Sequence, residues 1–403
     1  MGAGPCDPST KVTPRQSLSA YLHTSWRRVL WMAHAMEVSQ LRLAVTLVLA
    51  LALILFGAEL FTNSIEWLGR KLGLGQSAVG SVLAALGTAL PETAVPVTAI
   101  LFGHGKASAH EVGIGGILGA PFLLATLGSL VLAISLLLVR RTHSTYQLKV
   151  GSQAFSRDMG FFLFAYGVAI AAGCISSPLV HRVVPLMLLG IYGVFLIVTL
   201  REKATDTDDG HLHPLYIQNH ADNPAVPLVL VQLFLALACI VGGAQLLTSA
   251  VEQVATWFTI PAFVLSAILI PLTTELPETL NSVVWIRRNK DGLALGNVTG
   301  AMVFQSTLVP ALGIWMTPWH LTPEAMLIGC LTLGAAAYIF GMYRWLGTLI
   351  PAILLSASML YWVLPIQALA ALWHNRTVYW WGCSIVLLLS VASVRFGLRY
   401  RSK

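Results

Sequence analysis

The chain has 403 residues, of which 56% are hydrophobic and only 10% charged, with a mean hydropathy of +0.76 and a formal net charge of +7. A soluble domain carries about 25% charged residues, so this composition excludes a soluble enzyme and removes nucleic acid as the reason for the positive charge. Apolar runs of about 20 residues, the length that crosses a bilayer, recur along the chain, and the expected fold is an all-α polytopic membrane protein. A transmembrane barrel would instead show short alternating segments. The five cysteines, Cys6, Cys174, Cys239, Cys330 and Cys383, are scattered and mostly within apolar spans, so they read as packing residues, not as a disulfide or metal framework.

Residues 1–40 form a polar, basic tail. Within it Leu18 to Met36 reads as an interfacial helix with Trp26 and Trp31 at headgroup level, or else as a disordered tail. Spans are expected at 42–68, 75–102, 112–139, 158–175 and 182–201, which places a first unit over 41–201. Residues 202–226 are polar and carry Asp206, Asp208, Asp209, His211, His213 and His220; they read as a solvated linker, dispensable for the fold, more readily than as a metal site. A second unit, 227–364, has spans near 227–255, 261–287, 291–315, 322–342 and 347–364. An extra span near 378–396 and a basic tail complete residues 365–403.

One short string occurs twice inside these spans: Gly87-Thr88-Ala89-Leu90-Pro91-Glu92-Thr93 and Thr273-Thr274-Glu275-Leu276-Pro277-Glu278-Thr279. Each copy puts a carboxylate where one costs about 2.5–3.5 kcal/mol. Each also puts a proline directly before it, which removes an N–H and frees the carbonyl four residues back. Thr88 and Glu92 lie four apart, as do Thr274 and Glu278, so each pair shares a helix face. A carboxylate, a hydroxyl and a bare carbonyl on a proline-broken span make half a site for a hard cation, and two copies make a whole one.

The two halves of the chain are repeats. When Glu92 is laid on Glu278, Gly57-Ala58 meets Gly243-Ala244 without a gap, Leu60 meets Leu246, Thr62 meets Thr248 and Glu66 meets Glu252. Past the motif the register shifts once, and Gly115, Gly119 and Ala120 meet Gly296, Gly300 and Ala301. Five spans per unit is an odd number, so the second unit is expected to enter the membrane inverted, as in secondary transporters. Roughly two thirds of the Lys and Arg residues fall on the side of the 202–226 linker and the C-terminus. The positive-inside rule then places that side in the cytoplasm and the N-terminus outside, in a cell (inner) membrane.

With these features the sequence resembles the cation/Ca2+ antiporter superfamily, the sodium/calcium exchanger-like proteins, as a divergent member. The resemblance rests on Gly-Thr-Ala-Leu-Pro-Glu at 87–92, Thr-Thr-Glu-Leu-Pro-Glu at 273–278, Leu-Gly-Asn-Val-Thr-Gly at 295–300, and Arg157-Asp158 opening the fourth span; it covers residues 42–364. It implies two inverted five-helix repeats, with the span at 378–396 lying outside the usual ten. It also implies Glu92 and Glu278 as central ligands of a transported cation, assisted by Thr88 and Thr274. The position after each threonine is usually serine; here it is Ala89 and Glu275. The following helix usually reads Gly-Asn-x-x-Gly-Ser-Asn-x-x-Asn/Asp. The second unit keeps only Asn297 and Gln305 of that polar set, and residues 115–124 of the first keep none.

Ca2+ takes six to eight oxygens. The expected ligand set is therefore Glu92, Glu278, Thr88, Thr274, Glu275, Gln305 and Asn297, with Glu275 replacing charge lost elsewhere. Three neighbouring carboxylates do not all ionise easily, which makes proton coupling as credible as sodium coupling. The implied function is a secondary active antiporter exchanging Ca2+, or another cation, against Na+ or H+. The alternative is an ion-sensing or scaffold membrane protein that kept the fold and lost transport. No resident cofactor is expected, the partners are inorganic cations and lipid, and no His-x-x-x-His or Gly-x-Ser-x-Gly arrangement supports catalysis.

Overall fold

The structure, a computed structural model, describes residues 14–71, 84–103, 107–139, 148, 152–203, 214–218, 223–287, 291–363, 366, 384 and 388. By contacts the chain divides into two units, Met1–Val48 and Leu49–Lys403. The first is helical throughout its described residues, which belong to α1 (Pro14–Lys71). The second contains everything that follows.

Beyond α1 the described helices are α2 (Ala84–Phe102), α3 (Ala107–Leu123), α4 (Ser129–Val139), α5 (Ser152–Ala172), α6 (Pro178–Lys203), α7 (Val226–Phe258), α8 (Ala262–Arg287), α9 (Asp291–Met316), α10 (Pro323–Leu346) and α11 (Pro351–Ser358). The described residues hold no strand, only isolated bridges at Leu148–Leu349 and Leu215–Gln218. Among the described residues seven helical stretches are long and apolar enough to cross a membrane by length and composition, one of them, Ala107–Leu138, running through α3 and α4, and three shorter apolar helices accompany them. The span expected at 378–396 lies outside the described residues apart from isolated positions.

Local sequence explains where these helices begin and end. At α10, Thr322 caps the N-terminus by accepting from the Ala325 N–H at 3.3 Å, with Pro323 in the first turn. Glu324 and Arg344 then complement the two ends of the helix dipole, and Gly347 closes the C-terminus at φ 71°. Between α3 and α4 the helix widens into a π turn over Leu124–Gly128, just after Pro121. Thr126 Oγ1 donates there to the Phe122 carbonyl at 2.5 Å. The span expected at 112–139 is thus one helical span with a π turn inside it, the type of interruption that side-chain bonds to the ladder support.

Packing places small residues at the closest crossings. α3 lies against α8 along much of its length. A methyl group on Gly119 would lie within 2.7 Å of Ala267 Cα, and one on Gly115 within 2.6 Å of the Phe263 carbonyl oxygen. α1 meets α7 in the same manner, through Gly57 and Gly243. Without a hydrophobic drive between helices in lipid, such backbone approach supplies the dispersion contact that holds them together. α9 is the most enclosed span, with 72% of its apolar window buried, and packs on α5, α6 and α8.

At 214–218 the linker packs against the helices. Leu215 is fully buried beside Trp67 and Val229. Ile217 donates its backbone N–H to Gln232 Oε1 at 3.0 Å, and Tyr216 donates to Glu59 Oε1 at 2.6 Å. The expectation of a solvated linker is corrected at 214–218, because a leucine there finds an apolar seat between α1 and α7.

Candidate functional site

Three helices converge on one buried polar group. α2 supplies Glu92, 2% exposed; α8 supplies Glu275 and α9 supplies Gln305, both fully buried. Gln305 Nε2 donates to Glu92 Oε2 at 2.6 Å and to Glu275 Oε1 at 2.8 Å. The two carboxylate oxygens share one nitrogen and therefore lie no farther apart than these two bonds laid end to end. Hydrogen bonds this short are typical where the acceptor carries charge. The other end of the amide, Gln305 Oε1, is buried with no hydrogen-bond partner among the described residues.

Two oxygens about 5 Å apart match the span across a hard cation with ligands at 2.3–2.6 Å. Two carboxylates from different helices, brought together in this way, are oxygen donors of the kind a hard cation takes. Among the described residues no group of three or more His, Cys, Asp or Glu side chains gathers, here or elsewhere. The linker residues Asp206, Asp208, Asp209, His211, His213 and His220 lie outside the described residues.

The remaining expected ligands fall out as follows. Thr274 is buried beside Glu275, and its hydroxyl donates to the Ile270 carbonyl at 3.2 Å. Thr279, one turn on, donates to the Glu275 carbonyl at 2.8 Å. Glu278 lies in α8 and Thr88 in α2, one turn before Glu92, but the side chains of both lie outside the described part of the structure. Asn297 meets α8 at Ser282, one turn past Glu278. It donates to Ser282 Oγ at 3.5 Å, and eight residues of α9, about 12 Å of rise, separate it from Gln305. Eight positions also turn a helix through two turns plus about 80°, so the two amides leave α9 on different faces.

Sequence reasoning assigned no role to three further features. Asp158 on α5 is buried, accepts from Thr299 of α9 at 2.8 Å, and pairs with Arg157 at 2.8 Å. The Arg157-Asp158 pair was visible in the sequence; its partner across the bundle was not. Gln232 on α7 is fully buried and donates to Leu60 O, Asn63 Oδ1 and Ser64 Oγ of α1 at 2.9–3.1 Å. A lone glutamine in an apolar run was the only signal for that cluster. An open cavity of about 900 Å3 lies among the starts of α3 and α8 and the end of α7, lined by Ser108, Glu111, Ser249, Glu252, Gln253 and Thr256 among others. Ser108 donates to Glu252 Oε1 there at 2.9 Å, which places Glu252 at an accessible helix end.

Comparison with known proteins agrees with this architecture. A family profile described as sodium/calcium exchanger protein matches residues 42–201 and 228–397. The inner membrane protein YrbG of Escherichia coli (strain K12) is 22% identical over 333 residues, covering 79% of this chain and 97% of that protein. Among solved structures, the H+/Ca2+ exchanger CAX superposes with a TM-score of 0.65 at 17% identity, over 89% of this chain and 88% of that one. A sodium-calcium exchanger, NCX_Mj, superposes with a TM-score of 0.50 at 19% identity, over 80% and 96% of the respective chains. At these identities the superpositions establish the likeness of fold.

Proposed function

The chain belongs to the sodium/calcium exchanger protein family, and from that premise we propose that it is a secondary active cation antiporter. It exchanges Ca2+, or another hard cation, for Na+ or H+ at one site built on Glu92, Glu275 and Gln305, with Glu278, Thr88 and Thr274 completing the ligand set. The observation that carries this reading is the pair of buried carboxylates, from helices in opposite halves of the sequence, held on one amide nitrogen. Ionised groups at such depth are costly unless function retains them.

The family pattern puts an amide or acid at 305 and a serine at 275. Here the acid stands at 275 and the amide at 305. Glu275 thus returns a negative charge to the same place from a neighbouring helix. Asn297, bonded to Ser282 one turn past Glu278, joins the ligand set on the Glu278 side.

The mechanism follows from charge. A cation neutralises the carboxylates, and the neutralised site crosses between the two membrane faces; an empty site keeps its charge and is held back by the cost of moving it through hydrocarbon. That difference enforces exchange over leak and makes the two ions compete. In this reading 41–201 and 227–364 are inverted repeats that supply opposite gates, with the linker and C-terminus cytoplasmic, the N-terminus outside, and the chain in the cell's inner membrane. The reciprocal contacts of Gly57 and Gly243, which occupy equivalent positions in the two halves, support the symmetry.

A second reading, a membrane protein that kept the fold and lost transport, is favoured by one observation. Leu124, which falls on Gln305 when Gly119 is laid on Gly300, is 1% exposed and apolar, so the first repeat brings no matching ligand. Purified protein in liposomes decides between the two, with Ca2+, Na+, K+ and pH gradients imposed one at a time. Antiport requires Ca2+ movement driven by a Na+ or H+ gradient, lost in Glu92→Gln. Absence of flux under every gradient leaves the second reading.

A further inference from the structure

We propose that Gln305 is a two-position ligand: its amide nitrogen bridges Glu92 and Glu275 when no cation is bound, and its amide oxygen replaces the nitrogen when one enters. This deepens the antiport reading and rests on it. It assigns to one side chain the change that tells an empty site from a loaded one.

The geometry on each side of the amide differs. Nε2 lies 2.6 and 2.8 Å from its two carboxylate oxygens, close to the 2.3–2.6 Å at which Ca2+ holds oxygen. The nitrogen therefore stands almost where a cation would, and its two hydrogens are both committed. Oε1 is buried with no partner among the described residues. A buried acceptor without a donor is an unfavourable arrangement that native structures mostly avoid.

A cation cannot share the space with an N–H pair pointed at it. It can share it with a carbonyl oxygen. Rotation of the carboxamide by half a turn exchanges the two ends, which are nearly equal in size. The rotation gives up the two hydrogen bonds of the amide nitrogen, which moves into the place the oxygen leaves, and supplies an amide oxygen as a cation ligand, so the cation's attraction is what compensates the lost bonds. In the empty site the reverse holds: an oxygen facing two carboxylates is repelled, so the amide returns to its bridging position. The amide's end thus follows occupancy, because each ligation state binds only one rotamer well. Ser306 and Thr307, also buried, donate to Val303 O on their own helix, so the backbone that carries Gln305 is held while its side chain turns.

An aspartate or glutamate at 305 would present oxygen in both states and lose the bridge. The test uses full-length protein in detergent and in liposomes, with Ca2+ as the probe. Gln305→Glu should bind Ca2+ more tightly, roughly ten- to hundredfold by the strength of hydrogen bonds to charged groups, while its exchange turnover falls. Gln305→Leu, which lacks both ends, should bind more weakly by a similar factor. A purely structural glutamine would lower affinity and turnover together. Infrared difference spectra with 13C-labelled glutamine give a direct readout on the unmutated chain: Ca2+ should move one side-chain amide carbonyl band to lower frequency, and that band should be missing in Gln305→Glu. Flux with an unmoved amide band, or parallel losses in Gln305→Glu, would overturn the two-position ligand and leave antiport standing. Absence of both flux and any Ca2+-dependent band would overturn the antiport reading and this one with it.

Discussion

Gly57 and Gly243 make the same contact from opposite partners. A methyl group on Gly57 would lie 2.8 Å from Ile240 Cγ1 and 2.9 Å from the Ala236 carbonyl oxygen; one on Gly243 would lie 2.8 Å from Ile54 Cγ1 and 2.9 Å from the Ala50 carbonyl oxygen. Each contact is the other carried over by the register that lays Glu92 on Glu278. Gly57→Ala and Gly243→Ala should therefore destabilise by similar amounts, about 1–3 kcal/mol, because each added methyl meets backbone that cannot give way. Gly242, one residue away, has nothing within 4 Å of an added methyl. Gly242→Ala should instead be neutral or gain up to about 1 kcal/mol from helix propensity. Thermal unfolding in detergent checks all three, and a large difference between the first two would count against the symmetry.

Glu275 should matter to cation binding as much as Glu92. Both share the Gln305 amide, so removing either charge takes away one of the two carboxylates that it joins. Glu275→Gln and Glu92→Gln should each weaken Ca2+ binding by about ten- to hundredfold, measured by titration calorimetry, and Glu275→Gln should also change the pH dependence of exchange. Full affinity in Glu275→Gln would remove it from the site.

The Gln232 cluster should carry stability without carrying transport. Gln232→Ala strips one amide that joins Leu60, Asn63 and Ser64 of α1 to the Ile217 N–H of the linker. The groups left behind are buried, and the expected loss is about 2–3 kcal/mol. The linker should then be cut faster by protease near 214–218 while exchange is retained. Unchanged melting and protease resistance would show the cluster to be incidental.

Tyr216 offers a pH readout of linker docking. Its hydrogen bond to Glu59, helped by partial burial and by the charges of Glu59 and Glu66, raises its pKa from 10.0 to about 12. A phenol whose pKa rises on folding contributes stability that is complete below pH 10 and is lost as pH climbs toward 12. The tyrosinate absorbance of the chain minus that of Tyr216→Phe should therefore rise near pH 12. A rise near pH 10 would mean that Tyr216 does not hold Glu59.

Much of the site could be placed along the chain from local pattern alone. Glu92 and Glu275 stand in motifs whose prolines and threonines have local reasons to sit there, and the departure at 275 from the usual serine singled it out. Gln305 was legible as the last surviving polar residue of its motif. Asn297 had the same motif credentials and meets α8 at Ser282, one turn past Glu278. The linker's polar composition concealed Leu215, whose burial depends on a seat formed by Trp67 of α1 and Val229 of α7, one in each half of the chain.

The sequence by itself determined the helical membrane class, the two related halves and the chain positions of the acidic motifs. Those follow from apolar run length, from a register between the halves that shifts only once and from helix periodicity, all properties of order along one dimension. Only the tertiary structure decided which polar groups meet. Gln305 reaches Glu275 across 30 residues and Glu92 across 213, on a single nitrogen. Such a meeting depends on the rotation and crossing of three helices, and those are set by glycine contacts and buried side chains that no local pattern records. A buried carboxylate must find its partner wherever packing brings one, and here packing brought the same amide to both.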